Sequence, residues 1–333
     1  MEYFVTGGTG FIGTNVVERL VDGGHDVIAL TRDRANAGHL PDAVEVVEGD
    51  ILEPDTLRDP MDGVDGVFHM AAWYNIGPGP THADRVEAIN VEGTRNVLEV
   101  MDDLGVPKGV YTSTIAVFGD TGSDPVDEDH DPDPPGISVY HETKWRAHYE
   151  VAEPMLDDGL PLVIIHPGAV LGIGDRPNSP TRRVFIDWLD GDLPMLPSRF
   201  YHPFDFVDEV VEGHVAAMDR GEPGESYITA REARNLTDII ERAADYVGRP
   251  MPRRVSPMWF SLLAAVLKPT EWLKRPPSGL EPEMMRLLGR IETRVDNSKA
   301  REELGLEYGD FEEKLYEYLD WELEQQGIER VAG

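Results

Sequence analysis

Three glycines, Gly7, Gly10 and Gly13, sit directly between a short apolar run and an amphipathic one, and this is the tightest constraint in the chain. Tyr3–Thr6 has the aromatic and β-branched make-up of a strand, and the segment opening at Phe11 begins a helix. Turning from strand to helix so abruptly requires residues without a Cβ wherever backbone passes close to backbone. The helix then begins with free N–H groups and the positive end of its dipole, an arrangement that binds anions. In a parallel α/β sheet such a turn takes a dinucleotide pyrophosphate. Gly7, Gly10, Phe11, Ile12 and Gly13 are therefore candidate cofactor-binding residues.

The rest of the first half supports a parallel sheet. Short apolar runs at Tyr3–Thr6, Asp26–Leu30, Val44–Glu48, Gly66–Met70, Gly109–Thr112 and Leu162–His166 alternate with amphipathic segments. Helices are expected to begin near Phe11, His82 and Tyr140, and Val86, Ile89, Val97, Leu98 and Met101 have helical spacing. This is the signature of βαβ units, so the fold class is α/β, a Rossmann doubly wound parallel sheet. A dinucleotide-binding domain is expected over 1–166, with segments near 201–222 returning to it. A smaller, irregular substrate lobe is expected over 167–333. Pro and Gly clusters at Gly172–Pro180, Pro194–Pro197 and Lys274–Pro282 read as loops over that lobe.

Composition bounds the partners. The 63 Asp plus Glu against 30 Lys plus Arg give a formal net charge of −33, spread along the chain. A charge of that size repels nucleic acid and anionic membranes, so neither is an expected partner. It suits molar salt, where the Debye length falls to about 3 Å and self-repulsion is screened. A halophile with a salt-filled cytoplasm is the expectation, and a melting curve against KCl tests it. The absence of cysteine excludes disulfides and thiolate metal sites, and no histidine spacing suggests a metal. The start runs straight into a strand without a secretory signal pattern, so a cytoplasmic location is expected.

Two further segments suggest chemistry. The second strand ends in Thr31-Arg32-Asp33-Arg34, with no carboxylate at its tip to hold ribose hydroxyls, whereas Arg32 suits a 2′-phosphate. NADP(H) is therefore expected ahead of NAD(H). Asp50 is placed either to meet the adenine amino group or to cap the next helix, with Ile51 beside it. Farther on, Tyr140 and Lys144 share one face at the start of a helix. A neighbouring ammonium would lower the phenol pKa toward working pH. Thr112, Ser113 and Thr114 end a strand at the edge that faces the ligand crevice of a parallel sheet.

The motifs TGGTGFIG, GDI, HMAA at His69–Ala72, NVEGT at Asn90–Thr94, TSTIAVFG, YHETK and HPGAVLG resemble, in order and spacing, the extended short-chain dehydrogenase/reductases. Phe204–Val210 resembles a later segment of that family, and the likeness runs over roughly residues 1–325. Within it the chain is most similar to the dihydroflavonol-reductase-like and hopanoid-associated sugar-epimerase-like branch of the NAD-dependent epimerase/dehydratase family. The resemblance implies Tyr140 as general acid/base, Lys144 on the nicotinamide ribose and Thr114 as the catalytic hydroxyl. It also implies cofactor contacts from Ala71, Ala72 and Pro167, with Ser113 lining the pocket. A homodimer through two helices from each copy is usual in such relatives.

Departures from the family pattern narrow the reaction. Ile115-Ala116 stand where the 4,6-dehydratases carry an acidic pair, so water elimination lacks its acid and base. The acidic residue of NAD-retaining epimerases is missing from the second strand. A reductase or dehydrogenase acting on a small carbonyl or secondary alcohol is the leading expectation. A nucleotide-sugar epimerase with retained NAD follows, then a non-catalytic dinucleotide sensor. Trp73, Tyr74, Arg182, Arg183, Tyr201 and His202 are candidate substrate residues, each against core packing or an ion pair. Met258–Leu267 is strongly apolar and is followed by Trp272. It is either a helix packed in the second lobe or at a dimer contact, or a membrane-surface anchor.

Overall fold

The computed structural model describes residues 1–74, 82–175, 179–269 and 281–330. Its first strands are β1 (Glu2–Thr6), β2 (Asp26–Thr31), β3 (Glu45–Glu48), β4 (Gly66–His69), β5 (Gly109–Thr112) and β6 (Leu162–Ile165). Six shorter ones follow: β7 (Ala169–Leu171), β8 (Met195–Pro197), β9 (Tyr201–Phe206), β10 (Ser226–Tyr227), β11 (Ala233–Asn235) and β12 (Arg253–Val255). The helices of the first half are α1 (Phe11–Asp22), α2 (Asp55–Met61), α3 (Ala83–Glu87), α4 (Gly93–Leu104), α5 (Val139–Arg146) and α6 (Glu153–Asp157). Those of the second half are α7 (Pro180–Asp190), α8 (Val207–Arg220), α9 (Leu236–Val247), α10 (Pro257–Leu267), α11 (Pro282–Arg290), α12 (Ser298–Glu303) and α13 (Phe311–Gln326).

The main sheet has the order β10-β6-β5-β4-β1-β2-β3, and every pairing in it is parallel. It is buried on both faces, as the near-continuous apolar strands require. Along β1, Tyr3 and Val5 join a core with Val17, Phe68 and Val210, while Phe4 points the other way to Leu98 and Met101. Alternation of Cβ direction along the strand sends neighbours to opposite layers.

Residues beyond 166 return to this sheet in three places. The helix α8 packs on α1, β10 pairs with β6, and Ala300 of α12 and Leu304 just after it enter the same core. A second core gathers Phe185 and Trp188 of α7, Phe204 of β9, Ile239 of α9 and Leu315 of α13. Of the three stretches expected as loops, Pro194–Pro197 is mostly the strand β8, parallel to β12. Its prolines sit at an edge, where a missing N–H breaks no ladder. Residues 176–178 and 270–280, which include parts of the other two and Trp272, lie outside the described residues.

Candidate active site

Thr6, Leu30 and His69 lie side by side in register where β1, β2 and β4 end, and the Gly-rich turn leaves from that edge. Gly7 has φ of +76°, and a Cβ there would sit 2.7 Å from the Ala71 nitrogen. A Cβ on Gly13 would lie 2.1 Å from the Gly7 carbonyl oxygen and 2.7 Å from its carbon. Gly10 caps α1 without any side-chain hydrogen bond to the first turn, so those N–H groups face outward. The cradle thus has the shape and polarity for a pyrophosphate. Gly13→Ala is expected to weaken dinucleotide binding by at least about tenfold and to cost about 1–3 kcal/mol of stability. Fluorescence titration with dinucleotide and a thermal melt check this, and unchanged binding would refute the assignment.

On the other side of the crevice, β5 ends at Thr112 and carries the chain through Ser113 and Thr114. Ser138 caps α5 by accepting from the His141 N–H, which starts the helix at Val139, one residue before Tyr140. Tyr140 and Lys144 then lie one turn apart, 7% and 2% exposed. Thr114, Ser113, Tyr140 and Lys144 all line one cavity of about 370 Å³, together with Gly7, Gly10, Phe11, Ile12, Gly13, Ala72, Tyr74 and Pro167. The Tyr140 ring packs at 5.0 Å from Tyr74, and Thr114 lies beside its hydroxyl on the cavity wall.

Lys144 Nζ donates to the Tyr111 hydroxyl at 3.0 Å and to the Thr112 carbonyl at 2.9 Å. Burial pushes its pKa down to about 7. The Tyr140 phenol moves up, not down as the spacing suggested: burial dominates, Tyr74 adds to it, and the nearby Thr114 hydroxyl opposes it. The lysine is held on β5, and its cation lies 4.7 Å from the centre of the Tyr111 ring.

Behind the lysine lies a buried polar chain that the motif comparison did not reveal. Thr94 Oγ1 donates to the Asn90 carbonyl at 2.8 Å, so it accepts from His69 Nε2 at 3.0 Å. His69 Nδ1, left as an acceptor, takes the Thr6 hydroxyl proton at 2.7 Å. Burial lowers the His69 pKa to about 3, so the ring is neutral, and it stacks on Tyr111 at 5.5 Å. The network ties the Gly-rich turn's strand to the lysine's anchor. His141 and His202 also line the cavity and are held neutral by burial, at about 3 and about 4. His202 is among the candidate substrate residues of the sequence, whereas no spacing there points to His141.

Other expected residues lie elsewhere. Arg182 turns away from the cavity into a buried ion pair, 2.7 Å from Glu322 of α13, over the Trp321 ring at 4.9 Å. Its neighbour Arg183 pairs with Asp187 at 2.8 Å on the helix surface. Tyr201 is covered by Arg294 at 4.1 Å and does not line the cavity. Trp73 is tied through its N–H to Asn90 at 2.7 Å and its ring meets Arg85 at 5.1 Å. Ile51 is buried against Gly93, and Asp50 closes a local turn by accepting from the Leu52 N–H at 3.0 Å. Asp50 is not the cap of α2, since Pro54 occupies that position. Ala71 backs the turn through its N–H, 3.4 Å from Thr6 Oγ1.

The walls that sequence reading missed are apolar: Phe185, Phe204, Leu236, Met284, Leu287 and Leu288. Their spacing on amphipathic elements is that of any core residue, and only the packing of four separate elements turns them toward a common space.

Residues 3–230 match the model of the NAD dependent epimerase/dehydratase family. A Synechocystis protein described as dihydroflavonol 4-reductase-like is 32% identical, covering 96% of this chain and 94% of its own. The sterol demethylase protein B of Methylococcus capsulatus is also 32% identical, over 92% and 93%. The crystal structure of gox2253 superposes with a TM-score of 0.82 at 31% identity, covering 98% of this chain and 99% of that one. The chain therefore belongs to the NAD dependent epimerase/dehydratase family and is an NAD(P)-dependent enzyme of the extended short-chain dehydrogenase/reductase type.

Proposed function

We propose that this enzyme is an NADP(H)-preferring reductase that interconverts a ketone and a secondary alcohol carried on a bulky apolar skeleton. The observation that carries the reading is the cavity itself: hydroxyl, phenol and ammonium at one end, and a long apolar wall at the other. Away from the Gly-rich turn, Phe185, Phe204, Leu236, Met284, Leu287 and Leu288 offer apolar surface that a hydrophobic skeleton would cover. Among the described residues no arginine lines it, so a sugar-nucleotide diphosphate finds no guanidinium. The likeness to a protein named for sterol demethylation agrees with an apolar substrate.

When bound, the nicotinamide supplies or takes the hydride. Tyr140, kept protonated at neutral pH by its burial, donates the proton to the carbonyl oxygen in the reductive direction. Thr114, on the same wall, offers a second hydrogen bond to that oxygen. Lys144, anchored by Tyr111, lies close enough to neutrality to carry charge in response to a ligand. His141 and His202 present neutral imidazoles for a further oxygen on the substrate.

Arg32 supports the cofactor preference. It is exposed at the end of β2 and makes no hydrogen bond or ion pair among the described residues. The nearby Asp33 carboxylate is engaged by the Ala35 N–H at 2.9 Å. The test is turnover with NADPH against NADH on hydrophobic cyclic ketones and on sugar nucleotides. NADPH and the cyclic ketones should win, and Arg32→Ser should raise the NADPH KM about 10- to 100-fold while sparing NADH. Preference for NADH, or turnover of sugar nucleotides alone, would overturn the reading.

A further inference from the structure

We propose that α10 seats this protein on an anionic lipid surface. Four of its side chains form an outward apolar face: Met258 is 69% exposed, Trp259 59%, Leu262 53% and Val266 66%. Exposed apolar side chains on soluble proteins are ordinarily scattered, and four on one short helix form a patch. The opposite face of α10, with Phe260 and Ala264, is buried against Met285 and Leu288 of α11. The helix is therefore fixed in place, and no described residue covers its outer face.

The local charge identifies the occupant. Residues 246–270 contain no Asp or Glu, in a chain where 63 of 333 residues are acidic. Within that stretch lie Arg249, Arg253, Arg254 and Lys268. Arg254 is paired with Glu241 at 2.6 Å, while Arg253 and Lys268 are exposed. The overall charge repels anionic surfaces, but an acid-free apolar helix with basic flanks reverses the sign where contact would occur. A second copy meeting this face across a two-fold axis would set these basic flanks against each other. With 11 residues, α10 is about 16 Å long, too short to cross a hydrocarbon core of about 30 Å. No helix among the described residues is long and apolar enough to span a membrane. An interfacial seat remains, with Trp259 at headgroup depth.

The docked helix is separated from the cavity by α11 alone, which packs on α10 with one side and contributes Met284, Leu287 and Leu288 to the cavity wall with another. Docking there brings an apolar pool within two helices of the substrate space. That second step rests on the apolar-substrate reading, whereas docking does not.

The test is flotation of the full chain with phosphatidylglycerol–phosphatidylcholine vesicles and with phosphatidylcholine alone. The native protein should float with the anionic vesicles and less with the neutral ones. The combined variant Met258→Ser, Trp259→Ser, Leu262→Ser and Val266→Ser should lose at least tenfold in partitioning. Arg253→Gln with Lys268→Gln should lose the preference for phosphatidylglycerol. Both variants should retain turnover of a water-soluble ketone, which shows that they fold. Absence of flotation, or equal flotation of the serine variant, overturns the proposal. So does a native dimer that the serine variant converts to monomer without any vesicle binding, since the face would then be a self-contact. Failure to float with full turnover of cyclic ketones would sink docking alone, and flotation without such turnover would sink only the substrate reading.

Discussion

Tyr140→Phe should lower kcat by about 10²- to 10⁴-fold, the span for loss of a positioned proton donor, while dinucleotide binding stays within a few-fold of native. The ring fills its place against Tyr74 whether or not it carries a hydroxyl, so the fold has little reason to change. What goes is the phenol hydroxyl that lines the cavity beside Thr114 and Lys144. Steady-state turnover with NADPH, paired with a fluorescence titration of the cofactor, reads both halves of the expectation. Turnover within tenfold of native would mean that another group handles the proton. Loss of cofactor binding in parallel would assign Tyr140 to binding instead.

Mild acid is expected to destabilise the protein steeply. His69, His141, His148, His166, His202 and His214 are all buried and held below their ordinary pKa by desolvation, the first three to about 3 and the last two to about 4. Each is neutral in the fold and takes a proton in the unfolded chain below about pH 6.5. Their stabilisation is therefore present above that pH and is lost as pH falls, at about 1.4 kcal/mol per histidine per pH unit. Asp205 opposes this: burial raises it to about 7, so it favours the fold as pH falls. Glu128, Glu153 and Asp175 are raised by burial too and oppose in the same sense, yet the six histidines still leave several kcal/mol lost between pH 6.5 and 5.5, a large part of a typical domain's stability. Exposed carboxylates remain ionised over that interval, so the slope belongs mainly to the histidines. Melts at fixed salt should show Tm falling by roughly 10 °C from pH 7.5 to 5.5. A flat Tm would mean that the buried rings are solvated or paired in solution.

Much of the first half was legible because its signals are local. Strand composition, the Gly7–Gly13 spacing and the Tyr140–Lys144 pair depend on neighbours within a few residues, and the observed strand ends differ by a residue or so. Long-range partners were not legible. Arg182 and Glu322 are 140 residues apart, and nothing near Arg182 in the chain announces a buried carboxylate on α13. Likewise the phenol shift follows from the total burial around Tyr140, which a four-residue spacing does not encode.

By itself, the sequence determined the parallel Rossmann sheet, the Gly-rich turn at its edge, and that Tyr140 and Lys144 share one turn of a helix, because each is set by backbone sterics and short-range periodicity. Only the tertiary structure decided the protonation of those groups, the fate of Arg182 and Tyr201, and the apolar character of the substrate space. Those properties arise where α7, β9, α9 and α11 converge, and convergence of distant segments is a consequence of packing that no local pattern specifies.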